Sequence, residues 1–204
     1  MKNMITRMAV LKGMALFCAM YFISGTILAQ DKGIYADKRD GQVYAFSKIG
    51  KQVWMLENLK FATPEGSWIA GNDTVNQAIY GRQYDYANAM KACPKGWHLP
   101  SAAEWDALVK ALGGEELAAE GLKAMDTVAL RLKSAKAGTL SALLAGVRHG
   151  DGTVTGIGIW GGFWSSTVTT EGATNYLFAR GSKSVGKSTN DKASGFSVRC
   201  IRGK

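Results

Sequence analysis

Gly96-Trp97-His98-Leu99-Pro100-Ser101-Ala102-Ala103-Glu104-Trp105 contains a complete start signal for a helix. Ser101 stands three residues before Glu104, so the serine side chain can take the amide of Glu104 while the carboxylate returns to the amide of Ser101. Trp105, Leu108, Val109 and Leu112 follow at helical spacing and form one apolar face, and Gly113-Gly114 supplies the end. Upstream, residues 82–92 are expected to form a second helix with Tyr86, Ala89, Met90 and Cys93 on one face, stopped by Pro94. Residues 42–46 and 52–55 read as two strands around Ile49-Gly50-Lys51, an N-terminal hairpin closed by Glu57-Asn58-Leu59. Between hairpin and helix, residues 62–78 carry Pro64, Gly66, Gly71 and Asn72 and read as an irregular loop.

Downstream of the capped helix the pattern changes. Residues 117–132 suggest a further helix, but Gly121 interrupts an irregular apolar pattern, and the structure of 115–137 stays open. Seven glycines fall between Gly146 and Gly162, a density that suits long loops with demanding backbone angles. Strands are expected at 141–147, 162–166, 175–179 and 196–201. In the last, Phe196, Val198 and Cys200 alternate with Ser197 and Arg199, the pattern of a half-buried strand. There is no internal repeat and no domain break, so the class is α+β: a hairpin, two main helices, and a C-terminal antiparallel sheet with long glycine-rich loops.

The ends of the chain bear on location. Lys2, Arg7 and Lys12 precede an apolar run over 14–23, and Ile27-Leu28-Ala29 fits a cleavage site before Gln30. Residues 1–29 therefore read as a signal peptide, and 30–204 as a single exported domain. The apolar run is short for a membrane anchor, and Phe17 is bulky for a lipidation site at Cys18. Membrane contact is expected only through the signal before cleavage, and the product belongs in the cell envelope or the medium. Of the 25 basic residues 22 remain after cleavage, against 16 acidic ones, for a net charge of +6. They form no clustered stripe beyond a basic stretch over 180–204, so nucleic acid is not an expected partner. With 47% hydrophobic and 20% charged residues, the composition excludes a disordered chain, a coiled coil and a multi-span membrane protein. Cleavage also removes Cys18 and leaves Cys93 and Cys200. In an oxidising compartment a disulfide between them is favoured over a metal site, for which only His98 and His149 could add ligands, without ligand-like spacing.

Several blocks, in order, resemble one family. They are Asp40-Gly41-Gln42-Val43-Tyr44, Lys48-Ile49-Gly50-Lys51-Gln52-Val53-Trp54-Met55, Glu57-Asn58-Leu59, Gly81-Arg82-Gln83-Tyr84 and Ala92-Cys93-Pro94. The Gly96–Trp105 block, Phe163-Trp164-Ser165-Ser166 and Gly195-Phe196-Ser197-Val198-Arg199-Cys200 complete the set. Together they resemble the Fibrobacter succinogenes major paralogous domain over residues 37–202, with the alanine-rich segment 116–137 as a departure. The resemblance implies a C-type lectin-like fold, related to the branch of the formylglycine-generating enzymes, with the chain ends brought close. It implies little about activity.

The candidate site residues follow from what the motifs leave over. Trp54, Trp97, Trp105 and Trp164 sit in patterned blocks and are expected in the core, whereas Trp68 and Trp160 lie in glycine-bearing loops where an exposed ring could stack on a sugar. Trp160 is expected to be partly exposed, with His149 and Asp151 as polar contacts nearby. His98, beside the helix start, reads as a structural histidine. No Gly-x-Ser-x-Gly elbow and no carboxylate pair stands out for acid–base work, so no catalytic residue is assigned. Calcium is not expected either: the Glu-Pro-Asn and Gln-Pro-Asp tripeptides of sugar-binding lectins are missing, and Asn190-Asp191 follows Thr189 rather than tryptophan. No cofactor is assigned. The expected function is that of an exported, non-catalytic binding module for a polysaccharide or a cell-surface protein, an adhesive role. The alternatives are an enzyme of the formylglycine-generating type, which free thiols would favour, and a structural component of a surface assembly.

Overall fold

The computed structural model describes residues 32–114, 143–180, 182 and 184–203. The expected signal segment with Cys18, the possible helix over 117–132 and the first residues of the strand expected at 141–147 lie outside the described residues.

The N-terminal part is an antiparallel meander of β1 (Lys32–Ala36), β2 (Val43–Ile49) and β3 (Gln52–Met55). The tight turn between β2 and β3 uses Gly50 at a φ of +60°, where a β-carbon would also lie 2.8 Å from that of Ala111. The stretch expected as an irregular loop instead holds β4 (Ser67–Ile69), a short 3-10 turn (Ala70–Asn72) and α1 (Thr74–Tyr80). Asp73 caps α1 by accepting from the amide of Val75 at 2.9 Å. A second correction concerns residues 82–92. Their first three form a strand, β5 (Arg82–Tyr84), and the helix, α2 (Tyr86–Ala92), starts only after Asp85. The Asp85 carboxylate accepts from the amide of Asn88 at 2.8 Å, which makes it the N-cap. Arg82, Gln83 and Tyr84 meanwhile pair with β4.

The central block matches its reading closely. β6 (Trp97–His98) leads into α3 (Ala102–Ala111), and the capping box is complete: the Ser101 amide donates to Glu104 at 2.7 Å and the Glu104 amide to Ser101 Oγ at 3.3 Å. The remaining chain forms β7 (Ala145–Arg148), β8 (Val154–Ile157), β9 (Trp160–Val168), β10 (Ala173–Ala179), β11 (Gly186–Asn190), β12 (Phe196–Ser197) and β13 (Ile201–Arg202). Trp160 and Trp68, expected in loops, are thus strand residues on β9 and β4, because both glycine-bearing stretches find pairing partners.

Two sheets organise this mixed α and β architecture. The smaller has strand order β1-β2-β3-β13-β6 and the larger β11-β10-β9-β12-β5-β4, with the β7–β8 hairpin attached through parallel pairing of β7 to β9. The single strand expected at 196–201 is split because its two ends serve different sheets. It is also buried on both faces rather than one: Ser197 and Arg199 are as inaccessible as Phe196, Val198 and Cys200. Arg199 donates through Nε and Nη2 to the Asn58 side-chain oxygen and through Nη1 to the Leu56 carbonyl. Two motif blocks almost a chain length apart therefore meet in one buried cluster.

The four motif tryptophans are core, as expected. Trp105 from α3 packs against Trp54, Phe163, Tyr176 and Phe178, with ring centroids 5.0–6.2 Å apart. Trp164 points to the other face of its sheet, beside Tyr86 and Phe196, and donates to the Tyr84 carbonyl at 2.7 Å. A disulfide joins Cys93, at the end of α2, to Cys200, with α-carbons 5.9 Å apart. No helix among the described residues is long and apolar enough to cross a membrane.

Candidate functional site

The register of the large sheet places the site. Trp160 pairs with Ala179, Gly162 with Leu177, and Trp164 with Asn175. Residues opposite one another in a pair share a face, so these six face one way, while Phe163, Tyr176 and Phe178 face the Trp105 core. On the first face, a β-carbon at Gly162 would come within 2.0 Å of the Phe196 ring. Phe196 therefore lies directly across this glycine. The β7–β8 hairpin rises beside it, and the space between is a cleft of about 250 Å³.

Trp160, Leu177 and Ala179 line the cleft from the sheet, Phe196 from β12, and Val147, His149 and Thr155 from the hairpin. Asn190 enters from β11. Trp160 is 41% exposed, matching the expectation of partial exposure. It is nevertheless fixed in place. Its indole N–H reaches the Thr155 carbonyl at 3.3 Å, and a β-carbon at Gly156 would lie only 1.9 Å from that nitrogen. The ring thus rests on bare backbone at a residue whose φ of +72° also favours glycine. His149 is exposed, with Nε2 2.9 Å from the Thr155 hydroxyl.

The other two expected contacts stand beside the cleft rather than in it. Asp151 accepts from the Thr153 amide at 2.9 Å and hydroxyl at 2.7 Å, which shapes the turn between β7 and β8. Those bonds hold its carboxyl below the usual range. Trp68 lies under the Arg148 guanidinium, 3.8 Å from ring centroid to carbon. Arg148 adjoins His149 in the chain, so Trp68 buttresses the hairpin from outside.

Elsewhere, His98 and Glu104 form a structural pair. His98 Nε2 lies 2.9 Å from Glu104, whose other oxygen serves the capping box. Among the described residues no group of three His, Cys, Asp or Glu is placed to hold a metal ion. Sequence reasoning missed Asn190, which it weighed only as a calcium motif, and the apolar lining of Val147, Leu177 and Phe196. Phe196 belongs to a motif block and reads as core, and it is buried at 1% exposure, so it forms the floor of the cleft rather than an open wall.

The chain matches the profile of the Fibrobacter succinogenes major domain over residues 48–202 and belongs to that family. No curated protein and no solved structure matches it.

Proposed function

We propose that this protein is an exported, non-catalytic binding module of C-type lectin-like architecture, and that its cleft holds a saccharide unit of a polysaccharide or of a cell-surface partner. The observation that carries the reading is Trp160: a large aromatic face, open to solvent, held rigid on Gly156 and Thr155 at the mouth of a cleft with polar groups at its edge. A pre-ordered ring loses little freedom on contact, and aromatic faces suit the C–H face of a sugar. The antiparallel hairpin at the start and the pairing of β13 with β3, which brings the end of the domain back to its beginning, support the lectin-like assignment. The Cys93–Cys200 bond supports an oxidising location, and it supports binding over thiol chemistry of the formylglycine-generating type. Screening the purified protein against a glycan panel and envelope extracts tests the proposal. Trp160→Ala is expected to weaken binding by about 1–3 kcal/mol and to leave the unfolding midpoint nearly unchanged. Loss of folding with unaltered affinity in the remaining folded fraction would remove the site.

A further inference from the structure

Resting on that saccharide reading, we propose that the cleft takes an N-acylated amino-sugar residue, its acyl methyl against Val147, Leu177 and Phe196 and its amide against Asn190. A bare pyranose carries hydroxyls around most of its rim. Its C–H face suits Trp160, but hydroxyls turned toward Val147, Leu177 and Phe196 would lose water without gaining partners. An acyl methyl meets that lining at no such cost. The amide beside it brings one donor and one acceptor, and the Asn190 carboxamide offers the complementary pair.

Asn190 is held for this purpose. Its Nδ2 donates to Asn175 Oδ1 at 2.7 Å, while its own Oδ1 accepts no hydrogen bond from the described residues. Asn175 is wholly buried on the same face as Leu177 and Ala179, and its Nδ2 has no partner among the described residues. An orphaned buried amide is uncommon in a folded chain. Here it accompanies the side-chain bond that orients the Asn190 carboxamide at the cleft. Size agrees as well: about 250 Å³ falls below the roughly 300–1,000 Å³ of pockets that enclose drug-sized ligands, so a single substituted ring is accommodated.

Protein-observed NMR titration of the purified protein with methyl N-acetyl-β-D-glucosaminide and with methyl β-D-glucoside tests the proposal. The acetylated sugar is expected to bind about tenfold tighter or better, in the range one well-buried methyl can discriminate, with shifts at the Asn190 amide and the Trp160 indole. Asn190→Ala should shrink the preference, because the amide loses its partner while the apolar lining still takes the methyl, whereas Trp160→Ala should weaken both. Equal affinity for the two sugars, or an undiminished preference in Asn190→Ala, would overturn the acyl site and leave the saccharide reading standing. Failure of both sugars to bind would overturn the two together. Should Asn190→Ala not fold, the ratio of affinities in the unaltered protein decides.

Discussion

Arg199 is the residue whose position departs most from expectation, and it carries a specific energetic consequence. Burial pulls its pKa down to about 9, while the nearby Glu57 carboxylate acts against that fall, so the group stays cationic at neutral pH. A buried cation is tolerated only while its partners remain. Asn58→Ala should therefore cost about 1.5–3 kcal/mol, the worth of hydrogen bonding to a charged group, measured by urea unfolding. Asn58→Ala combined with Arg199→Met should recover part of that loss. Glu104 gives a pH prediction. Burial favours its neutral form, but the hydrogen bonds from the Ser101 amide and the His98 ring, together with the Ser101 hydroxyl, outweigh burial and hold the carboxyl below its ordinary 4.5. A depressed folded-state pKa contributes stability that is present above the unfolded value and is lost as pH falls through the folded one. Glu104→Gln should accordingly lose stability near neutrality and show a shallower decline on acidification below about pH 4.5, read as denaturation midpoint against pH.

At the level of elements, the contrast between α2 and α3 shows what the sequence could disclose. The start of α3 rests on contacts between residues three apart, Ser101 and Glu104, and such local chemistry is legible directly. α2 has an equally local cap in Asp85, yet Arg82, Gln83 and Tyr84 fit an apolar helical pattern well enough to hide it. What claims them is pairing to β4 over 13 to 17 residues, and periodicity holds no trace of a partner at that distance. Asp85→Ala should cost about 1 kcal/mol, the worth of a typical N-cap, seen as a lowered thermal midpoint with the β5 pairing intact. The same reasoning covers the site. Trp160 stands out because its neighbours are glycines, and one of them, Gly156, is its seat. Asn190, Leu177 and Val147 gain meaning only through the β10–β11 and β9–β10 registers and the attached hairpin, which no local pattern encodes.

For the molecule as a whole, the Cys93–Cys200 bond closes a loop with a sequence separation of 107 residues. In the chain-entropy account such a crosslink stabilises by about 2–4 kcal/mol, with a ceiling near ~4.7. Cys93→Ser and Cys200→Ser should lower the unfolding midpoint by similar amounts, since each removes the same bond. Thiol titration of denatured, unreduced protein should find neither cysteine free. The composition and cysteine count made this crosslink foreseeable, whereas the two-sheet arrangement it fastens was not, because the sheets interleave strands from both ends of the domain. The short segment from Phe196 to Arg202 belongs to both sheets, inserting between β9 and β5 in one and between β3 and β6 in the other. Until it arrives, the smaller sheet lacks its join between β3 and β6, the larger lacks its join between β9 and β5, and Asn58 has no guanidinium to hold. A chain made N-terminus first thus completes neither sheet until Phe196 to Arg202 has been made. The segment acts as a keystone: its single placement closes both sheets, so the two are expected to form together rather than in turn.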